Sequence, residues 1–435
     1  MSDDKTSWGE FLREGGLSVW VLAGGVGLQA MEAFIGSTLL PSAVAEIGGL
    51  ELFSWNTTLF IVASIIASIF AAVRPFGIGP RGAYVLAAAG FGAGSLICAL
   101  APNMEVMLAG RAVQGFGGGL LTAMSYAMIR IVFPPHFWGR AFALISSVWG
   151  VSTLIGPAIG GIFATYDAWR WAFLILVPLA GLLGLLSVQV IPSRSDERGM
   201  TRFPLPQIAL MIVAVLAISV ASVLTGDVAL PATLIGLAVV AIVALGLMER
   251  KASTRLFPRG TFSLGSPLAA LFAAMLLLNV AIVCDMFVPL FVQHLHGQTP
   301  LVAGYILALV AVGWSSGSMI TSSWTGTPAR LALATGPVLQ LLGTIGLAFS
   351  VGYDNSAGAL LPLLPIGVSL LLLGTGIGIS WPHVSARLLR AAPEGEGDLT
   401  SASISMVQLF ASGFGAAVAG VIVNAAGLAS GQGVA

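Results

Sequence analysis

SSVWGVSTLIGPAIGGIFATYDAWRWAF, residues 146–173, is an apolar run that ends in a charged and aromatic belt. Within it Ser152, Gly156, Gly160 and Ala164 recur every four residues, with Pro157 and Gly161 set among them. On a helix that spacing lines small residues along one face, where a neighbouring helix can approach closely. The proline removes one rung of the hydrogen-bond ladder at the same level. Asp167, Trp169, Arg170 and Trp171 follow at once, the composition of a membrane–water interface. The segment reads as a spanning helix built to pack tightly and to yield.

Composition agrees. Hydrophobic residues make up 57% of the 435 residues, charged residues 8%, and there are 55 glycines. A polytopic helical membrane protein fits these values, and an ordinary soluble domain does not. The formal net charge of +0 gives no reason to expect a nucleic-acid partner. Cys98 and Cys284 lie in apolar runs and read as small core residues. The first apolar run is too long for a signal-peptide core and lacks a small-residue cleavage site.

Apolar stretches predict spans at 17–41, 54–74, 82–101, 105–132, 138–164, 169–191, 203–224, 228–248, 268–293, 302–323, 330–351, 358–380 and 401–426. The polar breaks predict a six-helix bundle over 1–191 and a linker over 192–260 that carries a transmembrane hairpin (203–248). A second bundle follows over 261–435. Of the 18 Lys and Arg, all but Arg170 and the intramembrane Arg111 fall on the side that holds the N-terminus. This bias predicts a cytoplasmic N-terminus and a multi-pass protein of the cell (inner) membrane. Gly77-Ile-Gly-Pro-Arg81 and Gly326-Thr-Pro-Ala-Arg330 form a faint echo between the two halves.

Several motifs resemble the major facilitator superfamily, and within it the drug:proton antiporter branches, over nearly the whole chain. Gly150-Val-Ser-Thr-Leu-Ile-Gly-Pro-Ala-Ile-Gly-Gly161 is similar to the antiporter motif of helix five. Trp169-Arg-Trp-Ala-Phe-Leu-Ile-Leu-Val-Pro178 resembles the helix-six entry of the fourteen-helix exporters. Leu108-Ala-Gly-Arg-Ala-Val-Gln-Gly115 resembles the helix-four arginine motif, and Met31-Glu-Ala-Phe-Ile-Gly-Ser-Thr-Leu-Leu-Pro41 the helix-one motif. The resemblance implies an all-α major facilitator fold of two pseudo-repeated bundles. It also implies a proton-coupled exporter that works by alternating access, with no cofactor, and not an enzyme. Two departures stand out. Arg74, ahead of Gly77 and Arg81 in a cytoplasmic loop, occupies the place of the acid that latches the halves in the family. Only five predicted helices follow the hairpin, so the second bundle is expected to be one helix short.

Charged residues inside apolar runs are candidate sites, because each costs roughly 2.5–3.5 kcal/mol at the bilayer centre. Glu32, Arg111 and Asp285 are the three. At about 1.5 Å per residue, Glu32 lies about 22 Å from the start of its helix, and Arg111 about 21 Å from the same side of a core of about 30 Å. Equal depth allows an ion pair. Attraction to Arg111 favours the carboxylate and burial favours the acid, so Glu32 is the candidate proton carrier, with Arg111 modulating it. Asp285, in the expected counterpart of helix one, is a second candidate titratable or cation-binding acid. Gln29, Gln114, Tyr126, Trp149, Asn279 and Gln408 are the candidates to line a substrate cavity. Met124 and Met128 fit either that cavity or the core. His294 and His296 read as an exposed loop rather than a metal site. The glycine runs 115–119 and 374–378 read as close helix contacts and not as phosphate loops. The partners expected are protons, membrane lipids and a drug-, lipid- or siderophore-type cargo, on a monomer. The alternatives are proton-coupled uptake of a metabolite, or a membrane sensor or assembly partner that does not transport.

Overall fold

The computed structural model describes residues 7–49, 52–73, 79–166, 168–193, 204–224 and 229–425. All regular secondary structure among the described residues is helical. Ten helices are long and apolar enough to cross a membrane, and three shorter apolar helices (17–32, 55–71 and 205–221) accompany them. Large apolar side chains such as Leu185, Val240 and Phe349 are 70%, 64% and 85% exposed. Apolar exposure on this scale needs lipid and not water as its solvent.

The first bundle comprises α2 (Leu17–Ile47), α3 (Phe53–Val73), α4 (Pro80–Ala99), α5 (Met104–Val132), α6 (Trp138–Thr165), and α7 (Trp169–Leu174) running into α8 (Leu176–Val190). A hairpin follows, α9 (Leu205–Val223) with α10 (Ala229–Lys251), and α9 packs on both α3 and the last helix. The second bundle has α11 (Pro267–Ile282), α12 (Val288–His294), α13 (Pro300–Thr321), α14 (Gly326–Ser350), α15 (Leu363–Arg390) and α16 (Gly397–Ala425).

Glycine positions set how closely these helices cross. On α5, a Cβ at Gly115 would lie 2.8 Å from Cα of Phe60, and one at Gly119 would lie 2.7 Å from the carbonyl carbon of Ser64, both on α3. On α15, Gly374 and Gly378 meet Val310 and Trp314 of α13 in the same way, at 2.7 and 2.8 Å. The glycine between each pair faces a third helix: Gly117 faces Phe91 of α4, and Gly376 faces Gln340 of α14. The close-contact reading of the two runs holds. They are also the clearest trace of repetition, stronger than the loop echo, whose Gly77 lies outside the described residues. The register equates Gly115 with Gly374, so Arg111 corresponds to Leu370, which is fully buried.

Three elements depart from the predicted spans. A short amphipathic helix, α1 (Trp8–Gly15), precedes the first span. Ser7 caps it and Glu10 returns the bond, and Phe11 is buried against Phe133 and Phe137. The run 268–293 is not one helix, because residues 283–287 tighten into a 3₁₀ turn before Pro289, which has no N–H to continue the ladder. The run expected to end at residue 380 continues to Arg390 through Pro382. The carbonyl that this proline cannot bond belongs to Gly378, and the Ser318 hydroxyl donates to it instead (2.9 Å).

Candidate functional site

Glu32 on α2 and Arg111 on α5 meet as a buried ion pair. The arginine is held from three further sides. Its Nη1 donates to Oε1 of Gln114 (2.8 Å), its Nε donates to the Asn56 carbonyl (3.3 Å), and its guanidinium lies 4.3 Å from the Phe60 ring centroid. Gln114 in turn donates to Ser95 Oγ at 2.8 Å. Gly36, one turn after Glu32, leaves room for the pair: a Cβ there would sit 3.4 and 3.5 Å from the two guanidinium Nη atoms. Glu32 Oε2 has no hydrogen-bond partner among the described residues. Arg111 holds several bonds that survive neutralisation of Glu32, whereas Glu32 holds this one partner. The arrangement can therefore switch at the carboxylate while the cation stays in place.

One turn before Glu32 the polar face reaches open space. Gln29 accepts a hydrogen bond from Thr122 and approaches Ser64 (3.4 Å). Both Gln29 and Thr122 line a cavity of about 360 Å³ between the two bundles. The first bundle adds Trp149, Gly150 and Thr153, and the second adds Asn279, Asp285, Met286, Trp314, Ser405 and Gln408. Asp285 sits in the 3₁₀ turn that interrupts the first helix of its bundle, and broken helices at midplane are a recurrent way of building membrane binding sites. No Lys, Arg or His lines this cavity, and no ion pair of Asp285 occurs among the described residues.

On the N-terminal side of the cavity the bundles are tied together. Tyr126 donates to Gln408 (2.8 Å), Ser315 donates to the Ser146 carbonyl (3.2 Å), and Arg390 donates to the Pro135 carbonyl (3.2 Å). Arg130 of α5 pairs with Asp398 at the start of α16. The α6–α13 approach lies at Gly150, where a Cβ would be 3.1 Å from the Ala311 oxygen. At the opposite end, Glu46 accepts from both Trp169 Nε1 and Arg170 (each 2.7 Å), which anchors the aromatic belt.

The expected site residues thus divide. Glu32, Arg111 and Gln114 form one network. Gln29, Trp149, Asn279, Gln408 and Asp285 share the cavity, and Tyr126 closes its floor through Gln408. Gln114 and Met124 are not at the cavity: Gln114 serves the arginine and Met124 is packed in the core with Met128. Along α6, Ser152, Gly156 and Gly160 are buried, while the contact with the other bundle falls earlier, at Ser146 and Gly150. The packing of Pro157 and Gly161 lies outside what is described, and Arg74 and Gly77 lie outside the described residues. Arg81 donates to the Ile191 carbonyl (2.8 Å), joining two helices of the same bundle. His294 is exposed as expected, but His296 is buried and bonds the Val351 carbonyl (3.1 Å), so it belongs to the packing of the loop. Sequence reading missed Thr122, Trp314 and the Arg130–Asp398 pair. Trp314 had one visible signal, its register four residues after Val310 opposite the 374–378 glycines.

A family model described as Major Facilitator Superfamily matches residues 22–419. A probable multidrug-efflux transporter of Mycobacterium tuberculosis is 37% identical over 429 residues, covering 97% of this chain and 90% of the relative. The multidrug efflux pump SdrM of Staphylococcus aureus is 27% identical and covers 81% of this chain and 77% of its own. In three dimensions the chain is similar to the human organic anion transporter MFSD10, with a TM-score of 0.66, 16% identity and 94% of each chain covered.

Proposed function

The chain belongs to the major facilitator superfamily, and on that premise we propose that it exports amphiphilic or hydrophobic small molecules in exchange for protons. It is a multi-pass membrane transporter of that family and not an enzyme. The efflux direction and the drug-like cargo are supported by the names its relatives carry.

One observation carries the coupling: the two membrane-embedded acids occupy opposite settings. Glu32 is dry and paired, whereas Asp285 faces the cavity with no cation beside it. Protonation of Glu32 removes its attraction to Arg111 and loosens α2 against α5, while Arg111 stays held by Gln114 and Asn56. Asp285, which shares the cavity wall with Trp149 and Trp314, suits a cargo that brings its own positive charge or a polarised N–H. Rocking of the bundle 1–191 against 261–435, with 192–260 as linker, then opens the cavity to alternate sides. The seam along which α6 slides on the second bundle lies at Ser146 and Gly150, ahead of the small-residue face at Ser152, Gly156 and Gly160. The basic-rich side, with Arg74, Gly77 and Arg81, faces the cytoplasm of a monomer in the cell (inner) membrane.

Transport of a lipophilic cation into reconstituted vesicles under an imposed pH gradient tests the assignment. Glu32→Gln is expected to keep cargo binding and lose gradient-driven accumulation, and Asp285→Asn to weaken cationic cargo by at least about tenfold while sparing a neutral one. Unchanged accumulation in Glu32→Gln would remove the proton role. Absence of transport in the unmodified protein across a lipophilic panel would favour a membrane sensor on the same fold.

A further inference from the structure

The segment after α10 folds back on itself around an acid that is fully occupied. Both oxygens of the buried Glu249 carboxylate accept the Leu256 N–H (3.0 and 3.1 Å), and Oε2 also accepts that of Phe257 (3.0 Å). Its backbone carbonyl holds Arg255 Nε at 3.1 Å. The resulting pocket of about 260 Å³ is lined by Arg250, Arg255 and Arg259 together with Glu249 itself, with Thr261 and Ser263 beside them. Arg259 is shared with Glu396 (3.1 Å). Among the described residues Arg250 and the Nη groups of Arg255 have no hydrogen bond or ion pair, and the charge facing Arg255 is that of Glu249.

The approach to this pocket is apolar. Val240, Val243 and Leu247 of α10 are 64%, 55% and 60% exposed. They follow one another at three- and four-residue spacing, and Arg250 continues the same stripe. A hydrocarbon-facing track thus ends at a cluster of forked cations at the edge of the membrane. That sequence of surfaces matches a phospholipid: acyl chain along the stripe, phosphate at the arginines.

We propose that this pocket binds the phosphate of an anionic phospholipid headgroup. Arginine at positions 250 and 255 suits the ligand because the planar fork offers two parallel N–H donors to phosphate oxygens, whereas lysine offers a point charge. Glu249 lines the same pocket and offsets part of the charge of Arg255, but its oxygens are turned to two backbone amides and the three arginines leave the pocket net positive. The pocket lies in the linker and makes no use of Glu32 or Asp285, so its test is independent of the transport reading.

Full-length protein in detergent micelles is titrated with phosphatidylglycerol, with phosphatidylcholine of the same acyl chains, and with inorganic phosphate. Bound lipid is counted by native mass spectrometry, and the unfolding midpoint is followed by tryptophan fluorescence. Phosphatidylglycerol is expected to be retained and to raise the midpoint, and phosphatidylcholine to do neither. Arg250→Gln with Arg255→Gln should weaken phosphatidylglycerol binding at least tenfold. The Lys/Lys variant keeps the charge and guards against a folding failure, and it should bind with intermediate strength. Retention of lipid at wild-type affinity in the Gln/Gln variant overturns the site. Equal stabilisation by phosphate and by phosphatidylglycerol, lost in the Gln/Gln variant, would keep the anion chemistry and overturn the lipid as its source.

Discussion

Gly150→Val addresses the contact that holds the bundles together on the N-terminal side. A Cβ added at Gly150 would lie 3.1 Å from both the Ala311 carbonyl oxygen and Ser315 Cβ, and closer still to the Ser315 hydroxyl. Ser315 cannot rotate aside freely, because its hydroxyl donates to the Ser146 carbonyl at 3.2 Å. Three extra carbons at such a contact cost about 1–3 kcal/mol. The penalty exists only while α6 and α13 touch, so it shifts the ratio of closed to separated forms by about 5- to 150-fold. The shift can be read chemically. With Cys98 and Cys284 replaced by alanine, a cysteine at Ser405 in the cavity wall reports access to a membrane-impermeant maleimide. Gly150→Val should raise its labelling rate from the N-terminal side by up to that factor and lower it from the other. Gly236→Val, where an added Cβ meets nothing within 4 Å, should change neither. Equal rates in folded Gly150→Val and wild type would refute the idea that this contact governs closure.

The Glu32–Arg111 pair makes a second prediction: Glu32→Gln and Arg111→Leu should each destabilise by about 3–5 kcal/mol, and the double variant by much less than their sum. Thermal unfolding in detergent reads this, and simple additivity would show that the pair is not coupled. The Arg130–Asp398 pair is largely buried, its side chains 25% and 10% exposed, so Asp398→Asn should shift the same closure equilibrium by at least about fivefold, about 1 kcal/mol or more. Swapping the charges (Arg130→Asp with Asp398→Arg) should restore it in the maleimide assay. Finally, Gly119→Ala and Gly378→Ala should each lower stability by a similar amount, about 1–3 kcal/mol, because each Cβ meets the backbone of the helix opposite. A loss confined to one half would contradict the shared register.

Much of this architecture was legible because membranes simplify reading. Lipid forces each span to satisfy its own backbone, so hydropathy and the placement of Lys and Arg locate helices well. The depth match of Glu32 and Arg111 followed from helical rise alone, and the structure brings the two together. What hydropathy could not give were features decided between elements. The break at residues 283–287 depends on how Pro289 is accommodated, and the extension of α15 beyond Pro382 depends on a hydroxyl from Ser318 on another helix. The Arg130–Asp398 tie joins residues 268 apart, and nothing local to either announces it. Only α1 was missed despite a local signal, since Ser7 and Glu10 stand at capping-box spacing in the sequence.

The glycine register turns the two bundles from a vague echo into a residue-by-residue comparison, and the comparison bears on the two acids. Where the first bundle places Arg111 beside Gln114, the second places Leu370 beside Leu373. The first bundle therefore neutralises its acid from within. In the second bundle that source of compensation is missing, and Asp285 is left at the cavity wall. A half-buried carboxylate without a cation is left to be protonated, hydrated or matched by whatever enters the cavity. The asymmetry favours a division of labour in which one bundle carries the proton and the other meets the cargo. Under the proposed exchange, cargo and proton would not compete for one carboxylate, and their coupling would run through the seam at Gly150 and not through direct displacement.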